Sequence, residues 1–494
     1  MSKDKKGGIF SSKRFKYGSV SAVLTAVFVA FVILFNAVFG VLADKFGFTL
    51  DLTDNQIYGI GDTTRNLLKD LDKEVSIKFM TPLDQLESSM YYPVVTCAQI
   101  YEREFEKVKV EYLDIITHPE NLSYFTGKGY SVSTTDVIIQ CGDLFEIYSL
   151  SKFLPIAEST QEIFGFRGEA YFTSSIISVT QENKSAVTFT TNHGEAESPN
   201  LEEIFKLCGY SVNRVDLSTQ NISEDTDILV IYDPQYDFQS SSEGDSEIDK
   251  LTEFLAAHKN VMIFMGPSTK PMPNLDEVME EWGITVSRNQ VIQDDERSVP
   301  NYKMNIFADY TPSQSEELTS ATEIIGNIGS TDSNSYTNTV LRDTAPILLS
   351  EPGSFRQVES VLKSSAASYV EDINGIKQSD AFTVMAISTR TRMENLGNSN
   401  NIEHKSHILV CSSVKYDDYC SGDSPYANGT LIYNAIKLMS DDETFTGISM
   451  KRVDDTTMQI DSQTAYRYTV IMASVLPGLV VIFGVVVWVK RKHL

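Results

Sequence analysis

Residues 227–265 read DILVIYDPQYDFQSSSEGDSEIDKLTEFLAAHKNVMIFM, and the architecture follows from them. The first six, 227–232, are almost continuously apolar, the pattern of a strand buried on both faces. Residues 248–258 make an amphipathic helix. Residues 261–265 make a second buried strand that stops at Gly266-Pro267. A strand, a helix and a strand at this spacing call for a crossover connection and parallel pairing. The same series extends upstream. Residues 186–190 read as a buried strand ending at Asn192-His193-Gly194-Glu195, 201–208 as a helix closed by Gly209, and 212–215 as a short strand. Downstream it resumes at 347–349, 382–387 and 408–411, and a helix over 427–439 completes it. Residues 312–340 and 391–406 are rich in Ser, Thr and Asn and are expected to be long loops or insertions. The expectation for 186–445 is a doubly wound parallel sheet.

A separate series precedes this one. Asp62-Thr63-Thr64 suits an N-cap for a helix running to about Leu71, and 75–79 alternates as a strand. Val94, Ala98, Tyr101 and Phe105 recur at helical spacing over 93–107, and Val108, Val110 and Tyr112 share one face of a further strand. Residues 136–140 and 144–148 flank Gly142-Asp143, a hairpin signal. Helix, strand, helix, strand and hairpin together suggest a thioredoxin-like α/β layer. It contains no Cys pair for redox chemistry. Residues 164–181 read as the helix joining the two series.

Two apolar runs bracket everything else. Residues 20–43 (VSAVLTAVFVAFVILFNAVFGVLA) have Asn36 as their one strongly polar side chain, and 470–489 (VIMASVLPGLVVIFGVVVWV) are equally apolar. At 1.5 Å per helical residue, about 20 residues match a hydrocarbon core of about 30 Å. Lys3, Lys5, Lys6, Lys13, Arg14 and Lys16 precede the first run, and Lys490, Arg491 and Lys492 follow the second. The positive-inside rule then puts both termini in the cytoplasm. The expected order is a basic tail (1–19), a membrane helix (20–43), a first extracytoplasmic α/β domain (44–160) and a connecting helix (161–185). A second extracytoplasmic α/β domain (186–445), a return segment (446–469), a membrane helix (470–489) and a basic tail (490–494) complete it. Cleavage after Ala43 as a signal peptide is the competing reading, and the run exceeds the length of a signal h-region.

Composition sets further bounds. Nine of the 41 Lys and Arg and one of the 67 acids lie in the tails, so 44–469 holds 32 positive against 66 negative side chains. Such a surface repels nucleic acid and anionic lipid. Cys97, Cys141, Cys208, Cys411 and Cys420 are scattered, odd in number and without a CxxC pair, which suits buried free thiols.

Four stretches together resemble the GldG-like auxiliary subunits of ABC transporters. Asp51-Leu52-Thr53-Asp54-Asn55 followed by Tyr58 is similar to the family's "LT-x-N-x-x-Y-x-L" segment, and 64–78 to its "T-x-x-x-L-x-x-L-x-x-x-V-x-I" continuation. Residues 187–195 match its strand ending in "H-G-E", and 228–234 its "L-V-I-x-x-P" strand. The resemblance covers nearly the whole chain. It implies partnership with a polytopic ABC permease and a cytoplasmic ATPase, without naming a substrate.

The second series is also similar in outline to class I glutamine amidotransferase folds, which place a Cys on a sharp strand-to-helix turn. The comparable turn here is Phe264-Met265-Gly266-Pro267. No GxSxG, Walker A or dinucleotide fingerprint occurs, so no catalytic residue, cofactor or metal is assigned. His404 and His407 form an HxxH in a segment expected to be a polar loop, a weak metal signal. His193, Gly194 and Glu195 sit at a strand's C-terminal end, where such sheets bind ligands, and are the candidate ligand-binding residues. The competing reading is a turn whose His and Glu satisfy local backbone groups. The expected function is a non-catalytic, membrane-anchored accessory subunit of an ABC transporter. A membrane-anchored amidotransferase-like hydrolase and a stand-alone surface receptor are the alternatives.

Overall fold

The computed structural model describes residues 57–156, 165–181, 185–241, 245–268, 270–311, 321–325, 338–351, 356–372, 374–395, 401–421, 426–440 and 451–452, with a few isolated positions besides. The two apolar runs expected to cross the membrane lie outside them, apart from single helical positions between Val27 and Phe35 and at Val489. Among the described residues no helix is long and apolar enough to cross a membrane. Contacts divide the chain into a unit before Tyr58 and a unit from Tyr58 onward.

The second unit is a mixed α/β structure with several sheets. It begins with α1 (Asp62–Leu68), β1 (Val75–Phe79), α2 (Tyr92–Glu104), β2 (Val108–Tyr112), β3 (Asp136–Cys141) and β4 (Leu144–Ser149). Their sheet has the order β2-β1-β3-β4. Ile77 pairs in parallel with Val110 and antiparallel with Ile139. The hairpin turns at Gly142, whose φ of +60° is the left-handed conformation that glycine tolerates. The expected side-chain cap on α1 is absent. Gly61 takes the N-cap position, and Thr64 is buried instead, with its hydroxyl donating to Glu169. α3 (Gly168–Thr180) has eleven of its thirteen residues buried, because it packs against β3 and β4 on one side and α2 and the next helix on the others.

The large sheet is built from β5 (Ala186–Thr190), α4 (Pro199–Leu207), β6 (Ser211–Val215), β7 (Thr226–Tyr232), α5 (Glu247–Ala256), β8 (Asn260–Phe264), α6 (Pro273–Glu281) and β9 (Ile284–Val286). Then come β10 (Tyr302–Tyr310), β11 (Thr339–Thr344), β12 (Ile347–Leu349), β13 (Arg356–Lys363), β14 (Thr383–Asn395), β15 (Asn401–Cys411) and α7 (Asn428–Met439). β6, β5, β7, β8 and β15 lie side by side and all parallel. In chain order this is 2-1-3-4-5, a doubly wound arrangement whose winding reverses between β5 and β7. The parallel expectation holds only for these five strands. Beyond β15 the sheet continues antiparallel through β14, β13, β10 and β11.

Residues 391–406 are not the expected loop. The described parts, 391–395 and 401–406, lie in two paired strands, β14 and β15 running from Met385 opposite Cys411 to Asn395 opposite Asn401. Cross-strand backbone pairing carries the polar side chains there, and composition conceals it. Most of 312–340 lies outside the described residues. Within that span Ala321–Ile325 is a short helix, and β11 begins at Thr339.

The sheet also contains a repeat. Residues 199–212 (PNLEEIFKLCGYSV) and 273–286 (PNLDEVMEEWGITV) each form a helix that opens on Pro, closes on a left-handed Gly and feeds a strand. Gly209 has φ +93° and Gly283 φ +81°. Two residues beyond each repeat an Arg reaches back to the helix's first-turn acid, Arg214 to Glu202 at 2.5 Å and Arg288 to Asp276 at 2.6 Å. A carboxylate from elsewhere caps each helix: Asp417 accepts from the Asn200 and Leu201 amides, and Asp237 from those of Asn274 and Leu275.

Candidate functional site

The winding reversal of a doubly wound sheet leaves a crevice beyond the carboxyl ends of its strands, where ligands bind. Here the loop after β5 fills it. Asn192 (φ +80°) and Gly194 (φ +75°) turn the chain sharply. A Cβ on Gly194 would stand 3.0 Å from that of Gln235, so glycine is required for space as well as for conformation. The His193 carbonyl accepts from the amides of Gln235 and Tyr236, at 2.7 and 3.0 Å, which binds this loop to the one after β7.

The His193 ring is 4 % exposed and stacks on Phe238 with centroids 3.9 Å apart. Its Nδ1 lies 3.3 Å from Glu195 Oε1 and its Nε2 3.1 Å from Glu247 Oε2. Both carboxylates are themselves buried. Burial alone would lower the His193 pKa, but the hydrogen bonds and charges of Glu195 and Glu247 outweigh it and raise the value to about 9. For Glu195, burial works upward, while the His193 contact and backbone hydrogen bonds hold its carboxyl below the usual range. The carboxylates also take backbone groups: Glu195 Oε2 accepts from the His193 amide at 2.7 Å, and Glu247 Oε2 from the Gln239 amide at 2.6 Å.

At neutral pH His193 is therefore an imidazolium with both ring nitrogens donating. It has no lone pair to act as a base or to ligate a metal. The Glu195–His193–Glu247 chain is a buried strut that joins the β5 loop to the first turn of α5. His193, Gly194 and Glu195 thus lie just past the carboxyl end of β5. Glu247 completes the group and was not foreseen in the sequence. The legible signal for it is Ser246-x-x-Asp249, which forms a reciprocal capping box and so fixes Glu247 as the first residue of α5.

Clefts lie on either side of the strut. One, of 380 Å³, is bounded by Asn192, Gly194, Glu195, Arg214 and Tyr232. The other, of 230 Å³, lies at the ends of β7 and β8 and is bounded by Asp233, Gln235, Gly266, Arg288 and Val414. Burial raises the Asp233 pKa. At Gly266 an added Cβ would fall 2.0 Å from Val414 Cγ2, so this one position of the turn after β8 has no room for a side chain.

The HxxH pair diverges. His404 and His407 lie three residues apart on β15 and project to opposite faces. His407 is buried, bonds Thr389 Oγ1 at 2.9 Å and is lowered to about 4, by burial first and then by Lys405. His404 stacks on His258, 4.7 Å away. Among the described residues no three His, Cys, Asp or Glu side chains are grouped to hold a metal ion. The five cysteines are free, and all but Cys141 are buried.

No protein-family model matches the chain, and no curated protein matches it. Among solved structures, an "mmIFT52 N-terminal domain" is similar over 51 % of this chain and 100 % of its own, at 13 % identity and a TM-score of 0.34. The structure of PurLQS from Thermotoga maritima is similar over 52 % of this chain and 98 % of its own, at 9 % identity and a TM-score of 0.27.

Proposed function

We propose that this chain is a non-catalytic, membrane-anchored accessory subunit of an ABC transporter, an extracytoplasmic binding or coupling module beside a permease and a separate cytoplasmic ATPase. The observation that carries the non-catalytic part is the turn Phe264-Met265-Gly266-Pro267, where an amidotransferase-like sheet needs its nucleophile. Val414 closes the Gly266 position of that turn to any side chain. The neighbouring strand end is held by the charged strut at His193 instead of presenting a free base.

The sequence supports the rest: two apolar runs of membrane length, Lys and Arg on their outer flanks, and the GldG-like resemblance over four stretches. The order β2-β1-β3-β4 supports a thioredoxin-like first layer, and the order β6-β5-β7-β8-β15 a class I amidotransferase-like second one. Anchoring at both ends holds the acidic domain against the outer face of a neighbouring permease and raises its effective concentration there. The small residues Ala26, Ala30, Ala37 and Gly40 in one run and Ala473, Gly478 and Gly484 in the other suit close packing against permease helices.

Topology is the first test. Protease added to intact cells or spheroplasts digests the central region and spares tags at both termini. A mature N-terminus at Asp44 contradicts the proposal. Replacing either apolar run with an unrelated one weakens association with the permease while insertion persists.

A further inference from the structure

The first and last described stretches of the unit, one from Tyr58 and the other Lys451–Arg452, meet on one buried carboxylate. The inbound segment follows the first apolar run and begins at Tyr58. The outbound segment, Lys451–Arg452, precedes the second. Glu169, in the first turn of α3, is 4 % exposed. Its Oε1 accepts from the Gly61 amide and from Thr64 Oγ1, both at 2.6 Å. Its Oε2 meets Lys451 Nζ at 2.7 Å. The same ammonium donates to the Gly59 carbonyl at 2.6 Å, so inbound and outbound segments also touch each other directly.

The surroundings are built to fit. Lys451 and Arg452 pair antiparallel with Phe166 and Gly165, and the Phe166 ring meets the Tyr58 ring edge-on at 5.0 Å. A Cβ at Gly168 would lie 2.2 Å from Phe166 Cζ, and one at Gly61 would lie 3.3 Å from Glu169 Oε1. The two glycines leave the room in which the aromatic ring and the carboxylate sit. Behind the carboxylate, Tyr101 donates to the Glu169 carbonyl at 3.1 Å, and its hydroxyl lies 2.6 Å from that of Thr173.

We infer that Glu169 is a clamp that fastens the inbound and outbound segments to α3, so that the two segments are held and released together. A buried carboxylate with two neutral donors and one ammonium is satisfied only while both segments are in place, because losing either leaves charge buried without its partner. α3, to which both segments are fastened, also packs against β3, β4, α2 and α4. The consequence at the membrane rests on the two-span reading proposed above. The clamp itself does not.

The test is hydrogen exchange by mass spectrometry on the full chain in detergent, which needs no partner and so separates this inference from the transporter reading. In Glu169→Gln, the amides around Gly61 and those of Lys451–Arg452 exchange about tenfold faster, as expected when a charge-assisted hydrogen bond is lost. The amides of β1 to β4 keep their protection. In Lys451→Met, which leaves Glu169 intact, the segment around Gly61 also exchanges faster although the substitution lies 390 residues further along the chain. Loosening of one segment without the other overturns the clamp. So does a uniform loss of protection across the unit in both variants.

Discussion

Replacing His193 with alanine removes the cation from between two buried carboxylates. The raised pKa is itself a measure of what the strut contributes. A rise from 6.5 to about 9, at about 1.4 kcal/mol per pH unit, corresponds to about 3 kcal/mol. Breaking a buried pair on one side costs about 3–5 kcal/mol in general. The lower end applies here, because Glu195 and Glu247 each keep a backbone amide. The sign follows from the direction of the shift. A pKa raised on folding gives stability that is fully present below about 6.5 and is lost as pH rises through about 9. Wild type should therefore lose about 3 kcal/mol between pH 6 and pH 10 from this group. His193→Ala should be at least about 3 kcal/mol less stable at pH 6, and the gap should narrow by about 3 kcal/mol by pH 10, where only the cost of losing the ring stacked on Phe238 remains. Denaturant unfolding of the full chain in detergent, followed by Trp282 fluorescence, measures both. Trp282 is buried in the same core as Phe238, on which the imidazole stacks. A loss below about 1 kcal/mol at pH 6, or a difference from wild type that does not change with pH, refutes the assignment of a charged strut.

Gly266→Ala should cost about 1–3 kcal/mol by overpacking against Val414, and Val414→Ala should restore most of that in the double variant, read from the same unfolding curves. Asp417→Ala and Asp237→Ala should each cost about 1–2 kcal/mol as lost helix caps, with the larger effect at the more buried Asp417. Maleimide should label Cys141 first in the native chain, because the other four thiols are buried, and burial pushes those of Cys97, Cys208, Cys411 and Cys420 well up. Prompt labelling of a second cysteine before unfolding would count against the packing described here.

The parallel half of the large sheet is legible in the sequence because β7 and β8 are nearly pure apolar runs, and only a strand buried on both faces reads so plainly. His193, Gly194 and Glu195 are legible by position, as the residues on which such a strand stops. Their partner Glu247 is 54 positions from His193. No local periodicity connects the two, although the capping box at Ser246 marks the turn that carries Glu247. The β14–β15 pairing is hidden for a different reason. Its outer half carries Ser, Thr, Arg and Asn, and backbone pairing rather than side-chain burial holds it together. The clamp residue is hidden as well. Glu169 looks like an ordinary first-turn acid until the folded chain sets Gly61 and Lys451 beside it. By contrast the Pro-Asn-Leu repeat at 199 and 273 is plain in the letters, and both copies fold alike down to the Arg that returns to the helix.

Assembly with a transporter is read by purification in mild detergent. A tagged full-length chain should bring down a polytopic permease and an ATPase at one fixed ratio across several mild detergents. Recovery of the chain alone under all of them, together with unchanged function when the neighbouring transporter genes are deleted, would contradict the account.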